Sequence, residues 1–298
     1  MTIQPSTDLL LEGVSVAAER RSFGLPRTHL PVYSGTILLV FVIAGIFGPL
    51  VAPHDPLRID LEHTLQAPIL FGGTWTYPLG TDSLGRDVLS RMLGGARVSF
   101  LVAFTVVFIS GSVGLVVAVV SGYLGGVVDS VLMRLTDATL AFPLILLAIV
   151  LASIFGASTQ NVIIILAAGG WASYARVIRS EVLALKNQEF VTMAVVMGGG
   201  RLWIIARHVI PNVLSSLVVL ATLQVGAAIL SEGSLSFLGI GVPPPNPSWG
   251  GMLANGSDYL TVAWWLAVFP GLALSLTVLA SNLMGDWLRT KSDPTGMR

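Results

Sequence analysis

The chain has 298 residues, of which 54% are hydrophobic and only 11% are charged, and its mean hydropathy is +0.82. Soluble domains carry about 25% charged residues, so this composition excludes an ordinary soluble protein and indicates a polytopic membrane protein. The formal net charge is zero, which gives no general attraction to nucleic acid. The chain has no cysteine, so neither a disulfide framework nor thiol chemistry is predicted.

Six apolar segments predict membrane-spanning helices, because about 20 apolar residues are needed to cross about 30 Å of hydrocarbon. Residues 1–34 form a polar tail that is too long for the charged start of a cleavable signal, so the first span, 35–52, is predicted to remain as an anchor. A polar connection with a short helix follows at 53–97, and a charged tail is predicted at 286–298. The core between them, 98–285, contains five further predicted spans: 98–122, 138–155, 160–174, 211–230 and 262–285.

The second half of the chain has one long charged interruption, residues 173–212, which holds five of the 16 basic residues. Phe190, Ala194 and Met197 follow the i, i+4, i+7 spacing of one helix face. Three glycines then end that helix, and Pro211 stands where the first turn of a new helix tolerates proline. The pattern predicts a helix, a glycine turn, a short helix and then a membrane helix, which is typical of a docking element.

The same segment has a second interpretation, a helix that rests on lipid headgroups. Interfacial helices carry Lys and Arg along their polar face. Residues 186–200 contain one Lys, one Glu and no Arg, so the sequence favours contact with a protein over contact with lipid.

Basic residues divide unequally between the two sides of the predicted membrane. The tails and connections that lie on the same side of the membrane as the N-terminus hold 12 Lys and Arg residues. Those on the opposite side of the membrane hold 4. Cytoplasmic loops are enriched in Lys and Arg, so both termini and the stretch 173–212 are predicted to be cytoplasmic. The connections 53–97 and 231–261 are then predicted to be external.

Glu232 is the only ionisable residue between Pro211 and Ser257, at the outer end of the fifth predicted span. Ionisable groups at membrane depth are costly and usually face the protein interior or a water-filled path. Two roles remain open. The sequence favours a hydrogen-bonded carboxylate that fixes a turn around Gly233 and Ser234, and the alternative is direct contact with a transported substrate.

Catalytic and cofactor motifs are absent from the sequence. Asp82 or Ser83 is predicted to cap the helix before the second span, with Asp87 in its first turn. The glycines around them do not form the G-x-x-x-x-G-K-[ST] loop that binds ATP. Neither an H-E-x-x-H zinc motif nor a G-x-S-x-G nucleophile motif occurs, so no catalytic residue, cofactor site or metal site is predicted.

Four blocks of the sequence resemble the shorter, C-type permease subunit of bacterial ABC importers of the dipeptide, oligopeptide and nickel family. They are LGTDSLGRDVLSRMLGGARVS (79–99), GWASYARVIRSEVLALKNQEFV (170–191), LSFLGIGVPPPNPSWGGML (235–253) and FPGLALSLTVLASNLMGDWLR (269–289). In the signature E-A-A, three residues, G, nine residues, I-x-L-P of such permeases, Ala194, Gly198 and Pro211 match. The sequence departs from the signature at Thr192 and Met193, and His208 and Ile210 replace its I and L, which leaves the detail of the docking contact open.

The resemblance implies an all-α membrane protein with six transmembrane helices and the type I ABC importer permease (MetI-like) fold. It also implies that residues 181–211, here named the coupling loop, contact the ATPase subunits. The residues assigned to that contact are Glu189, Phe190, Val191, Ala194, Gly198, Arg207, His208 and Pro211.

The resemblance further implies a non-enzymatic subunit of the bacterial plasma (inner) membrane. Its implied partners are a second homologous permease subunit, which forms a heterodimer with it, two cytoplasmic ATPase subunits, which bind ATP and Mg, and an external solute-binding protein. The chain would form half of a translocation pathway in the lipid bilayer. The implied substrates are di- and oligopeptides, with nickel chelates or glutathione as alternatives.

The residues fit two other classes of membrane protein less well. A secondary transporter places ionisable residues or broken helices at the membrane midplane, and the predicted spans contain almost no ionisable residue. A membrane-embedded enzyme needs a Ser/His pair or paired Asp residues within the spans, and the spans do not contain them. Co-purification of an ATPase subunit discriminates both from the ABC permease.

Overall fold

The computed structural model describes residues 30–292, and this part of the chain is almost entirely helical. Most of the predicted N-terminal tail (1–29) and the last six residues (293–298) lie outside the described residues. The helices are α1 (Leu30–Val51), α2 (Val88–Leu124), α3 (Gly126–Ala141), α4 (Leu144–Phe155), α5 (Thr159–Lys186), α6 (Glu189–Val196), α7 (Arg201–Ile204), α8 (Ile210–Phe237), α9 (Trp249–Ser257) and α10 (Trp265–Ser292).

Five helical segments among the described residues are long and apolar enough to cross a membrane, and the bent pair α3/α4 makes six when it counts as one span. The prediction of a continuous third span, 138–155, is wrong, because the chain turns by 87° between these two helices. Phe142 is extended (φ −85°, ψ 128°), since Pro143 disfavours the helical conformation of the residue before it. The 12 residues of α4 measure about 18 Å, too short to cross the bilayer alone.

Several helices extend beyond the apolar segments that predict them. α2 has 37 residues, so it is about 55 Å long and includes the short helix predicted before the second span. α5 continues 12 residues past the predicted end at 174 and reaches Lys186. Hydropathy cannot show such extensions, because they are amphipathic and depend on partners supplied by other helices.

Helix α2 is the centre of the bundle and packs against α1, α5 and α8. The helix meets α5 closely at Gly114, where a Cβ atom would lie 2.7 Å from the carbonyl oxygen of Trp171 and 2.4 Å from the Cβ of Tyr174. Both distances are too short for van der Waals contact, so the helices can meet this closely only with glycine at this position.

The two connections predicted to be external pack together into one layer at the N-terminal end of α2. This cap layer consists of residues 53–87 and 238–264. The two segments share one apolar cluster, in which the Phe71 and Trp264 rings meet edge to face with centroids 5.0 Å apart. The indole N–H of Trp265, at the start of α10, donates to the carbonyl oxygen of Thr81 at 3.3 Å. The coupling loop lies at the opposite end of α2, so the long helix joins the two regions.

The cap of α2 differs from the prediction. Asp87 is the N-cap residue, and its carboxylate accepts from the backbone N–H groups of Leu89 and Ser90. Asp82 instead closes the turn before it and forms an ion pair with Arg86 at 2.7 Å. Both Asp residues satisfy the local spacing rule, and only the path of the chain through the cap layer distinguishes them.

Electrostatics also hold the cap layer together around Asp60. The Tyr77 hydroxyl donates to the Asp60 carboxylate at 2.8 Å, and the His63 ring lies 2.9 Å from the same oxygen. The hydrogen bond from Tyr77, followed by that from His63, lowers the pKa of Asp60 below its ordinary value. Burial, and then the hydrogen bond to Asp60, raises the pKa of Tyr77. The pair therefore favours an ionised Asp60 beside a neutral tyrosine.

Candidate functional site

The coupling loop has the predicted order of helix, glycine turn and short helix. α6 ends in a glycine-dependent cap: the N–H of Gly198 donates to the carbonyl of Val195, and the N–H of Gly199 donates to the carbonyl of Ala194. This pair of bonds is the Schellman motif, which requires a left-handed residue after the helix. Gly198 supplies it with φ +82°. The cap sets the angle between α6 and α7.

One side of the coupling loop is anchored on the membrane helices. Val191, Ala194, Ile204 and Val209 are buried in a cluster that joins the loop to α2, α5 and α8. The buried partners on those helices are Ala118, Val119, Tyr123, Ile178, Val182 and Val213. A movement of the loop must therefore displace the ends of three helices, because packed interiors deform little.

The other side of the loop exposes apolar side chains, which we name the docking face. It includes Phe190, Met193, Val195, Val196, Met197, Leu202 and Trp203. Met197 is 86% exposed and Leu202 is 82% exposed. Contiguous exposed apolar side chains mark interaction sites.

The prediction that Phe190, Ala194 and Met197 share one face is wrong for Ala194. Ala194 is buried against the membrane helices, whereas Phe190 and Met197 are exposed.

The polar residues assigned to the coupling contact lie around this face. Glu189 and Arg207 are exposed, whereas the His208 ring is half-buried, with its centroid 5.1 Å from that of Trp203 and 6.1 Å from that of Phe190. The buried Nε2 atom of His208 has no hydrogen-bond partner among residues 30–292. His208 therefore presents an unpaired polar atom between two aromatic residues of the docking face.

Pro211 is the second residue of α8, at the first-turn position that the sequence predicts. The preceding residues 205–209 form a π-helical turn, which joins α7 to α8 without a break. Proline lacks an N–H and crowds the carbonyl four residues earlier, so a wider turn relieves the clash. The loop is thus connected to α8 as a continuous helix rather than by a flexible segment.

Two ion pairs connect α3 to the extension of α5 that leads into the coupling loop. Arg179 donates through both Nε and Nη2 to the two carboxylate oxygens of Asp129, and Arg176 pairs with Asp137. The sequence does not predict these pairs, because the partners are 50 and 39 positions apart and no local pattern links them. α3 is therefore held to the helix that leads into the coupling loop.

We expect Asp129→Asn to lower the free energy of unfolding of the assembled complex by about 1.5–3 kcal/mol, the range for hydrogen bonds to charged groups. The side chains of Asp129 and Arg179 are 18% and 27% exposed, so water screens this pair only partly. The measurement is denaturant unfolding of the complex in detergent. Asp137→Asn is the matched control: its pair with Arg176 is 65% and 54% exposed, and we expect a loss of about 0–1 kcal/mol. Equal losses in the two variants would contradict the prediction that the Asp129–Arg179 pair contributes more to stability than the Asp137–Arg176 pair.

Glu232 is fully buried where α2, α8 and the cap layer meet. The Ser99 hydroxyl on α2 donates to its Oε2 atom at 3.0 Å, and the Ser236 hydroxyl donates to its Oε1 atom at 2.7 Å. Ser236 in turn accepts from the backbone N–H of Val242 at 3.1 Å. No cation forms an ion pair with Glu232 within residues 30–292. The carboxylate thus links two membrane helices to the loop that follows α8. The turn predicted around Gly233 and Ser234 is wrong in position, because α8 continues through both residues to Phe237.

Two cavities accompany these features. A cleft of about 630 Å³ opens in the cap layer, between the segment around Asp82 and Arg86 and the segment 242–259, which includes α9. A smaller cavity of about 70 Å³ lies between α2, α4, α5 and α8. Glu232 is not on the wall of either cavity. No group of three or more metal-ligating side chains occurs in the described part of the chain.

These features define a helical membrane subunit with a docking face at one end and a polar cap layer at the other. A family described as "binding-protein-dependent transport system inner membrane component" matches residues 114–295. A second family, described as "N-terminal TM domain of oligopeptide transport permease C", matches residues 27–68. The chain belongs to the binding-protein-dependent inner-membrane transport components, the permease subunits of ABC importers.

Individual relatives are similar over most of their length. A di/tripeptide transport system permease protein of Pseudomonas aeruginosa is 41% identical over 258 residues, which cover 86% of this chain and 85% of the relative. A glutathione transport system permease protein of Escherichia coli is 39% identical over 269 residues, 90% of this chain and 87% of the relative. The predicted resemblance to the peptide permease family and the all-α permease fold are confirmed. Such a subunit is a permease component and not itself an enzyme.

Proposed function

We propose that this chain is one of two permease subunits of an ATP-driven importer of di- and oligopeptides. The observation that carries the proposal is the 41% identity, over 86% of the chain, to a di/tripeptide permease. The match to an oligopeptide permease domain at residues 27–68 supports the same substrate class. A homologous permease supplies the other half of the pathway, and an external solute-binding protein delivers the substrate.

The proposed coupling to two cytoplasmic ATPase subunits uses the docking face. An apolar helix surface enters a groove of a partner through anchors on one side, and Phe190, Met193 and Met197 provide such anchors. When the ATPases close on ATP and Mg, they displace the coupling loop. The buried base of the loop then moves the ends of α2, α5 and α8, which changes access to the pathway. The ATPases hydrolyse ATP, and this chain transmits the movement.

Glutathione is the second candidate substrate, because a relative of 39% identity is a glutathione permease. Nickel chelates stay a more distant alternative from the family resemblance alone. The deciding experiment is uptake into proteoliposomes that contain the complete importer and its binding protein. We expect saturable, ATP-dependent uptake of labelled dialanine. Uptake of glutathione without dialanine would replace the peptide assignment.

We propose that both termini and the coupling loop are cytoplasmic and that the cap layer is external, in the inner membrane of a bacterium. The unequal distribution of basic residues supports this orientation. Because the chain has no cysteine, single cysteines report it directly. We expect Asn246→Cys to react with a membrane-impermeant thiol reagent in intact cells and Asn187→Cys to react only after the cells are lysed.

Both labelling positions are exposed in the structure. Ser248 lies in the same connection and suits the test by sequence alone, but it is buried and its hydroxyl caps α9 by accepting from the N–H of Gly251. Labelling of Ser248→Cys would therefore report local unfolding rather than topology. Reaction of Asn187→Cys in sealed cells would reverse the proposed orientation.

A further inference from the structure

The small cavity between the membrane helices has a wall that combines apolar and polar side chains. It is lined mainly by apolar side chains of α2, α4, α5 and α8, with polar groups from Ser110, Tyr174, Gln224 and Ser231. Tyr174 is only 1% exposed, and its hydroxyl oxygen has no hydrogen-bond partner among residues 30–292. Buried polar atoms are nearly always paired in native proteins, so an unpaired hydroxyl on a cavity wall indicates a group that is supplied from elsewhere.

The polar groups come from separate helices and converge on one space. Gln224 and Ser231 are seven positions apart on α8, which places them on the same face of the helix two turns apart. Ala227 and Ala228 lie between them on that wall and leave room beside the helix. Ser110 belongs to α2, and its hydroxyl donates to the carbonyl oxygen of Ala167 at 3.3 Å. Its oxygen keeps the capacity to accept a hydrogen bond.

The chemistry of this wall selects a neutral polar ligand. Apart from Tyr174, none of the lining residues is ionisable, so neither an ammonium nor a carboxylate group finds a counter-charge there. A carboxamide and hydroxyl groups can both donate and accept, and this combination matches the N–H and C=O groups of a peptide bond. The volume of about 70 Å³ is far below the roughly 300–1,000 Å³ of a complete small-molecule site. The cavity therefore accommodates one amide group and not an entire dipeptide.

We propose that this cavity is a transient binding site for a peptide-bond amide of the transported substrate, with Tyr174 and Gln224 as its hydrogen-bonding residues. The inference rests on the proposed function, because it identifies how a peptide is recognised within the membrane. Recognition through the amide group ignores the substrate's side chains. It applies equally to dipeptides and to glutathione, which also contains peptide bonds.

The test uses the complete importer in proteoliposomes, with its binding protein and radiolabelled dialanine. We expect Tyr174→Phe and Gln224→Leu each to lower the initial uptake rate per assembled complex about three- to tenfold, the effect of one net hydrogen bond. Because the Tyr174 hydroxyl is unpaired in this conformation, Tyr174→Phe is expected not to lower the thermal unfolding temperature of the complex. A purely structural role of the hydroxyl would lower that temperature together with the rate.

Two substitutions of the same chemical kind serve as controls. Tyr33→Phe removes a hydroxyl from an exposed position on α1, and Thr222→Val removes one on α8 that donates to the carbonyl of Val218 away from the cavity. Both are expected to keep the wild-type uptake rate. Wild-type rates in Tyr174→Phe and Gln224→Leu would overturn the amide site and leave the proposed function intact. Failure of the wild-type complex to import dialanine would overturn the proposed function itself, and the inference with it.

Discussion

Replacement of Gly198 by proline is expected to abolish substrate uptake while membrane insertion of the chain stays intact. Gly198 has φ +82°, and proline is restricted to about −65°, so the variant cannot form the turn that ends α6. The substitution also removes the N–H that donates to Val195 at 3.0 Å. The docking face would then lose the angle between α6 and α7, whereas the membrane helices would keep their own packing. The measurement is substrate-stimulated ATPase activity of the reconstituted complex.

Gly200→Pro is the matched control in the same turn. Gly200 has φ −68° and open space where a side chain would extend, so proline fits its conformation. We expect this variant to retain stimulation close to that of the wild type. Stimulation that is unchanged in Gly198→Pro as well would contradict the assignment of residues 181–211 as the coupling loop.

Replacement of Ala194 by a bulky residue is also expected to abolish substrate uptake. Ala194 is buried between α6 and the membrane helices, so Ala194→Phe would overpack the anchored side of the loop, at a typical cost of about 1–3 kcal/mol. We expect loss of uptake with normal membrane insertion. Met193→Phe, an exposed substitution one position earlier, should be tolerated by the fold of the isolated chain and separates overpacking from changes at the docking face.

Replacement of Glu232 by leucine is expected to lower the yield of assembled complex and to impair transport of all substrates alike. Leucine cannot accept the hydroxyl protons of Ser99 and Ser236, and a buried group that loses its partner costs about 1–3 kcal/mol. Glu232→Gln is expected to be nearly normal. A glutamine carboxamide still accepts one hydroxyl proton, and the other serine can rotate its hydroxyl to accept from the amide N–H.

The glutamine variant also decides between the two roles of Glu232. In the anchoring role, which its burial and its absence from the cavity walls support, free and N-acetylated peptides are affected equally. In the alternative, the carboxylate binds the amino terminus of the substrate. Uptake of free and N-acetylated dialanine by Glu232→Gln distinguishes them, and a selective loss for the free peptide would show that Glu232 contacts the substrate.

The sequence by itself predicts those parts of the protein that local rules control. The membrane spans depend on runs of apolar residues, and five of them are single helical segments close to the predicted positions. The helix and glycine turn of the coupling loop depend on Gly198, whose left-handed conformation few other residues adopt. The blocks of family resemblance are also local strings of residues, and they led to the correct family.

Tertiary structure decided the features that depend on residues far apart in the chain. Asp129 and Arg179 are unremarkable as single charges, and only the packing of α3 against α5 pairs them. Ala194 and Phe190 share a helical spacing, but the positions of α2, α5 and α8 determine that one is buried and the other exposed. Periodicity identifies an apolar face without identifying its partner, because the partner is set by helices that meet only once the bundle has formed.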